Sequence, residues 1–436
     1  MKLILDNATT YTKEQAFADA KDVAPYIAHL AGVASENNYE TDEASVNLPF
    51  DSAISEQVDA LVKNKVSPSL RYIFVVGIGG SNLGTKAIYD ALYGYRDLGH
   101  ETRTRMVFVD TTNAAMLRFY TEELVRSLQN PDEYLVVTIS KSGGTTETLA
   151  NTEILLAALG QHVGGTKERT VVITDEGSAF WNAADMASID HMAIPQKVGG
   201  RYSVLSAVGL FPLAALGVDV QSLVKGARDI RAYCLHADIE NNPAWQSAAL
   251  MSFAYRHGQS INDTFVFNSE LESLGKWYRQ LLGESIGKEH DRNGKQVHTG
   301  ITPTVSVGST DLHSVGQLYL GGPKDKVTTF VYSNDHTDAV SVPDSRVFND
   351  TVAMINGKST ADIMSAILGG VKIAYNKAQL PFMEVELASV TPYEIGAFMQ
   401  FKMIEMMLLG NLLKVNPFDQ PNVESYKTET KRLLEN

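Results

Sequence analysis

Cysteine is almost absent: Cys234 is the single one among 436 residues. No internal disulfide and no cysteine-based zinc site can form, and a reducing compartment fits. Positive charge is also scarce, with Lys+Arg 37 against Asp+Glu 51 and a net charge of −14 at pH 7. That balance argues against broad contact with nucleic acid or an anionic membrane, both of which need a basic face. It leaves room for an anionic small molecule, because backbone N–H groups at a helix start bind phosphate inside an acidic protein. Long apolar runs are missing too. The N-terminal Met1–Asn7 is too short for a signal sequence. The nearest approach to a membrane span, Ile395 to Leu413, is interrupted by Lys402 and Glu405, short of the roughly 18 uncharged apolar residues a span needs. These absences predict a soluble, cytoplasmic protein. The length exceeds one ordinary core and predicts two or three domains, and 44% hydrophobic with 20% charged residues is ordinary for a globular chain.

From about residue 70 short β-branched runs alternate with helical stretches. Tyr72–Val76, Met106–Val109, Leu135–Ile139 and Thr170–Thr174 are each followed by Gly, Asp, Ser or Thr and then a helix-like pattern. Continuous apolar runs of this length suit strands buried on both faces of a parallel sheet. The repeated order predicts a doubly wound α/β domain, whose ligands bind outside the carboxyl ends of the strands. The pattern pauses at Val198-Gly199-Gly200-Arg201-Tyr202-Ser203 and resumes, with strands predicted at Thr264–Phe267, Thr304–Val307 and Thr328–Tyr332 and a helix from about Ala361 to Lys377. Lys288–His298 reads as a solvated polar loop, and the first fifty residues read as helical. Met399, Met403, Met406 and Met407 recur at helical spacing, which predicts a core or subunit-contact helix.

Two loops carry the chemistry. Gly77-Ile78-Gly79-Gly80-Ser81-Asn82-Leu83-Gly84 follows the first predicted strand. Its glycines let the backbone approach an anion, and the helix behind it offers unpaired N–H groups. A dinucleotide fingerprint fails at Asn82, and a nucleotide P-loop fails because Thr85-Lys86 reverses the required order. A phosphosugar loop and a bare strand-to-helix turn remain. The second loop, Ser140-Lys141-Ser142-Gly143-Gly144-Thr145-Thr146-Glu147-Thr148, has hydroxyls on five of its nine residues. Hydroxyls and helix-start N–H groups together satisfy the three acceptor oxygens of a phosphate monoester. Helix capping also uses Ser and Thr, but one cap needs one hydroxyl.

These loops, with the islands that follow them, resemble the glucose-6-phosphate isomerase family and its sugar isomerase fold. The resemblance runs through most of the chain. It rests on Gly77–Gly84, Ser140–Thr148, Gly199–Ser203, Gly283-Glu284-Ser285 with Asp311-Leu312-His313-Ser314, and Phe418-Asp419-Gln420 ending at Lys427. It implies two doubly wound parallel-sheet domains, each an α-β-α sandwich, at 56–200 and 201–390. An N-terminal helical segment, 1–55, and C-terminal helices, 391–436, complete the chain. The implied reaction is aldose–ketose isomerisation, which moves one proton between adjacent carbons through an enediol. That chemistry needs a base, a cation for the enediolate oxygen and an acid/base pair for ring opening, with no redox cofactor and no metal.

By the same resemblance Glu284 is the base, Arg201 stabilises the enediolate, and His313 with Lys427 opens the sugar ring. Ser140, Ser142 and Thr145 contact the phosphate with Lys141 beside them. Gly80 and Ser81 meet the sugar, Gln280 and Gln420 line its site, and Glu147 lies near it. The family implies a homodimer with shared active sites. Three features depart from its pattern: Asn422 stands where Gly or Ala is usual, Ile286 replaces a residue usually polar, and Lys288–His298 is an insertion. The insertion's His290, His298, Glu289 and Asp291 lack a metal-binding motif. A non-catalytic phosphosugar sensor would share the loops but needs an effector module, and no basic DNA-reading helix is identifiable.

Overall fold

A computed structural model describes residues 1–5, 13–95, 104–344, 347–348 and 351–435. The first sheet is wholly parallel, in the order β3 (Arg105–Val109), β2 (Tyr72–Val76), β4 (Tyr134–Ile139), β5 (Thr170–Asp175) and β6 (Asp190–Ile194). Its central strands are the continuous apolar runs of the sequence: every residue of β4 is buried, as is all of β2 beyond Tyr72. Chain order reverses between β2 and β4, so a crevice opens at their carboxyl ends where both helix-start loops emerge.

The second sheet runs β1 (Lys2–Ile4), β12 (Phe382–Leu387), β11 (Lys326–Ser333), β7 (Ile261–Val266) and β10 (Thr302–Val307). All of its pairings are parallel except that of β1, which is antiparallel to β12. The N-terminal segment is therefore more than helices. It supplies an edge strand, and the Met1 ammonium meets Glu394 at 2.7 Å. One continuous apolar core joins residues of both sheets, such as Val75, Val137, Val331 and Val385, to the Pro392–Leu412 helix.

That helix is buried around its whole circumference, including Met399, Met403, Met406 and Met407. No helix among the described residues is long and apolar enough to cross a membrane. Lys402 and Glu405 lie inside it fully buried, 2.8 Å apart, so the charges that interrupt the apolar run pair in the core.

The polar run Lys288–His298 is an ordered hairpin rather than a solvated loop. Strands β8 (Lys288–His290) and β9 (Gln296–Thr299) pair antiparallel. Their turn closes because Asp291 Oδ1 accepts from the N–H groups of Asn293 and Lys295 at 2.8 and 2.9 Å.

Candidate active site

The Ser140–Thr146 loop leaves β4 at the crevice and enters the Thr146–His162 helix. Thr145 is the N-cap residue, yet its side chain makes no cap bond. Its hydroxyl lies 2.9 Å from Ser140 Oγ instead. Capping thus does not account for the hydroxyls, and the first-turn N–H groups keep their capacity for an anion. The end of β5 holds the loop from below. Thr174 Oγ1 donates to the Ser140 carbonyl at 2.6 Å, and the Asp175 N–H donates to that of Lys141 at 3.1 Å. Lys141 is already engaged: its ammonium donates to both Asp175 oxygens at 2.9 Å and to the Gln196 carbonyl at 2.7 Å. Partial burial pushes the Asp175 carboxyl above its ordinary value, and Lys141 opposes that shift. The cradle therefore offers neutral donors, Ser140, Ser142 and Thr145 with the helix start, and its cation is neutralised beside them.

The first loop meets a different partner. A Cβ on Gly80 would lie 2.2 Å from the Gly200 carbonyl carbon, so only glycine lets this turn press on Gly199-Gly200-Arg201. Gly79, at φ +59°, faces the Gln280 side-chain amide. The Gly77–Ser81 turn thus touches the elements that carry Arg201 and Gln280.

Arg201 is 3% exposed and binds two segments, 284–285 and 417–420. Its Nε donates to Ser285 Oγ at 2.9 Å. Nη1 donates to Gln420 Oε1 at 3.1 Å and to Glu284 Oε2 at 3.4 Å, and Nη2 to the carbonyls of Pro417 and Asp419. Five donors in a fixed fork suit this task, and a lysine could not perform it. Glu284 Oε1 accepts from Gln280 Nε2, one turn earlier on the Glu272–Ile286 helix, at 3.2 Å. Gln280 Oε1 is buried with no protein partner. Tyr202 packs beneath the guanidinium, its hydroxyl 2.9 Å from Ser285 Oγ and its pKa raised by burial. The Glu284 side chain is 34% exposed, open enough to meet a ligand. A carboxylate beside a fixed guanidinium can take a proton from carbon while the cation holds the oxygen charge that develops.

Within one chain Gly80, Ser81, Arg201, Gln280, Glu284 and Gln420 come together, and no hydrogen bond or ion pair found among the described residues joins His313 or Lys427 to them. His313 sits on an exposed turn after β10. Asp311 shapes that turn, its carboxylate accepting from the Val307 N–H and from Ser314 Oγ, both at 2.7 Å. Lys427 is 42% exposed on the Glu424–Leu434 helix and pairs with Glu424 at 2.7 Å. Glu147 is half-buried in the first turn of the cradle's helix. Sequence reasoning missed Ser285, Asp175 and Lys288 as supporting groups. Ser285 had a signal, since it adjoins Glu284 in one island. The β8–β9 hairpin's Glu289 bonds to Asn422 and Gln296, and among the described residues no three His, Cys, Asp or Glu side chains are grouped to hold a metal ion.

The sequence model of the phosphoglucose isomerase family, "Phosphoglucose isomerase", matches residues 46–436. A glucose-6-phosphate isomerase from Carboxydothermus hydrogenoformans is 33% identical over 374 residues, covering 85% of this chain and 80% of that protein. Among solved structures, a hypothetical protein from Thermus thermophilus superposes with a TM-score of 0.86 at 29% identity, covering 100% of both chains. A glucose-6-phosphate isomerase from Chlamydia trachomatis shares the fold with a TM-score of 0.75 at 21% identity, over 90% of this chain and 75% of that one. This chain belongs to the phosphoglucose isomerase family.

Proposed function

We propose that the chain interconverts glucose 6-phosphate and fructose 6-phosphate through a cis-enediol intermediate, serving glycolysis and gluconeogenesis in the cytoplasm. The Arg201–Glu284 pair beside the crevice is the observation that supports this most. Glu284 takes the proton from C2 of the open-chain aldose as the C1 carbonyl oxygen gains charge. Arg201 stabilises the enediolate while a proton passes from the C2 hydroxyl to the C1 oxygen, and the carboxyl returns its proton to C1 to leave the C2 ketone. Ser140, Ser142 and Thr145 hold the phosphate, with Lys141 at the cradle's edge. Gly80, Ser81, Gln280 and Gln420 contact the sugar. The purified protein, treated with chelator and given fructose 6-phosphate alone, is expected to form glucose 6-phosphate. Absence of product under those conditions would falsify the reading.

Ring opening falls to His313 and Lys427, in a homodimer that lends His313 to the partner's site. The exposed His313 turn and the exposed Leu318 and Leu320 just beyond it support a subunit contact there. In this reading the chain is divided into sugar-isomerase domains at 56–200 and 201–390, flanked by the 1–55 segment and the 391–436 helices. Shared sites make a clear prediction. Glu284→Gln and His313→Ala proteins, each inactive alone, should regain about a quarter of wild-type activity after subunit exchange, because half the dimers then hold one intact site. Mixtures that stay inactive despite exchange would place His313 in its own subunit's site.

A further inference from the structure

The Glu424–Leu434 helix has no buried residue, so its own packing does not fix where Lys427 lies. What precedes it is held firmly. The β8–β9 hairpin begins four residues after Glu284, just past the Glu272–Ile286 helix, and turns back onto the segment 411–422. Arg292 donates from its backbone to the Lys414 carbonyl at 2.8 Å and from its guanidinium to the Asn411 carbonyl at 2.9 Å. Lys288, 6% exposed, reaches Asp419 Oδ1 at 2.9 Å and also bonds the Asp419 carbonyl, which accepts from Arg201 as well. At the entry to the C-terminal helix, Asn422 Nδ2 donates to Glu289 Oε2 at 2.8 Å, while Gln296 Nε2 holds the other Glu289 oxygen at 3.2 Å. Two of the three departures from the family pattern, the insertion and Asn422, thus touch one another. Between hairpin and segment lies a cavity of about 380 Å³, so side-chain bonds rather than apolar packing span much of this junction.

We propose that the β8–β9 hairpin is a clasp that holds the entry of the Lys427 helix to the helix that carries Glu284, with Glu289 and Asn422 as its positioning residues. The proposal rests on the reading of Lys427 as a ring-opening group. An elastic tether made of one hydrogen bond cannot hold a helix alone. It acts here because the hairpin is already anchored to residues 411–419 on one side and to the base-bearing helix on the other. Loosening it frees Lys427 while leaving Arg201, Glu284 and the phosphate cradle in place.

Two readouts test this in Glu289→Ala, Asn422→Ala and the double variant, all at exposed or half-buried positions. The first compares fructose 6-phosphate with its 5-deoxy analogue, which lacks the hydroxyl that closes the ring and needs no opening. Each single variant should lose about 3- to 10-fold in kcat on fructose 6-phosphate, as one hydrogen bond permits. The double variant should lose no more than the worse single, since both remove the same bond. Turnover of the 5-deoxy ketose should stay unchanged. Equal losses on both substrates, or no loss on either, overturn the clasp. The second readout does not use activity: tryptic cleavage after Lys427, Lys431 and Arg432 should accelerate several-fold in the variants, and equal cleavage rates overturn the proposal. A wild-type protein inactive on both substrates, with the cleavage difference intact, would refute the isomerase reading and keep the clasp.

Discussion

Glu284→Gln is expected to lower kcat by about 10²–10⁴, the contribution typical of a positioned general base. Phosphosugar affinity should stay within about twofold, because the substitution spares the cradle and changes uniform binding little. The amide is nearly isosteric, and its oxygen can still accept from Gln280 or Arg201, which now bond to the two carboxylate oxygens at 3.2 and 3.4 Å. The loss would therefore be chemical: an amide cannot carry a proton from C2 to C1. The two bonds are also long, so the carboxylate is not locked into an ion pair that substrate must break. Arg201, by contrast, spends its remaining donors on Ser285, Gln420 and two backbone carbonyls, which fixes the cation before substrate arrives. Steady-state kinetics together with equilibrium binding of fructose 6-phosphate separate the two effects. Full activity in the variant would remove Glu284 from the base's role.

Lys402→Met should destabilise the fold by about 3–5 kcal/mol, the usual cost of stranding one member of a buried ion pair. Both side chains are 0% exposed. Glu405 would keep the hydrogen bonds from Ser247 and from Tyr278, the latter at 2.8 Å, but lose its counter-ion. The ammonium also lies over the rings of Tyr278 and Phe401, at 4.6 and 4.8 Å. Burial pulls the lysine pKa down and pushes that of Tyr278 up, the signature of a site that tolerates charge only in pairs. Tyr278 sits on the helix that carries Glu284, so the pair also steadies that helix. Adding Glu405→Leu should recover most of the loss, because an apolar replacement of a whole buried pair is often neutral or better. The urea midpoint of each variant checks this. A single variant as stable as wild type would mean the pair contributes nothing.

Some of this was legible in the sequence, and the reasons differ by element. β2, β4 and the core of β5 are unbroken apolar runs because a parallel sheet buries both faces, and the pattern alone gives them away. β12 stayed hidden because Glu384 and Glu386 interrupt its run. Only the fold reveals that Glu384 is buried against Lys372 at 2.9 Å and the Tyr332 hydroxyl at 2.7 Å. The hairpin read as a solvated loop for a similar reason: its residues are polar and mostly exposed, and pairing leaves no apolar alternation. The two glycine- and hydroxyl-rich loops were legible as strand-to-helix junctions from local chemistry, and both leave the carboxyl ends of neighbouring strands, β2 and β4. The commitment of Lys141 to Asp175 was not, since the partners are 34 residues apart and meet only at the carboxyl ends of β4 and β5. The junction of Arg201 with Glu284 and Gln420 spans 83 and 219 residues, and there the family resemblance supplied what spacing could not.

The central claim, that a protein carboxylate moves a proton between C1 and C2, is tested most directly by running the reaction in deuterium oxide. Fructose 6-phosphate and the chelator-treated wild-type protein should yield glucose 6-phosphate with deuterium at C2 in part of the product, read by proton NMR. The Glu284→Gln protein should yield neither product nor label. Glucose 6-phosphate that forms at wild-type rate without any label, or label that persists undiminished in the variant, would contradict the account.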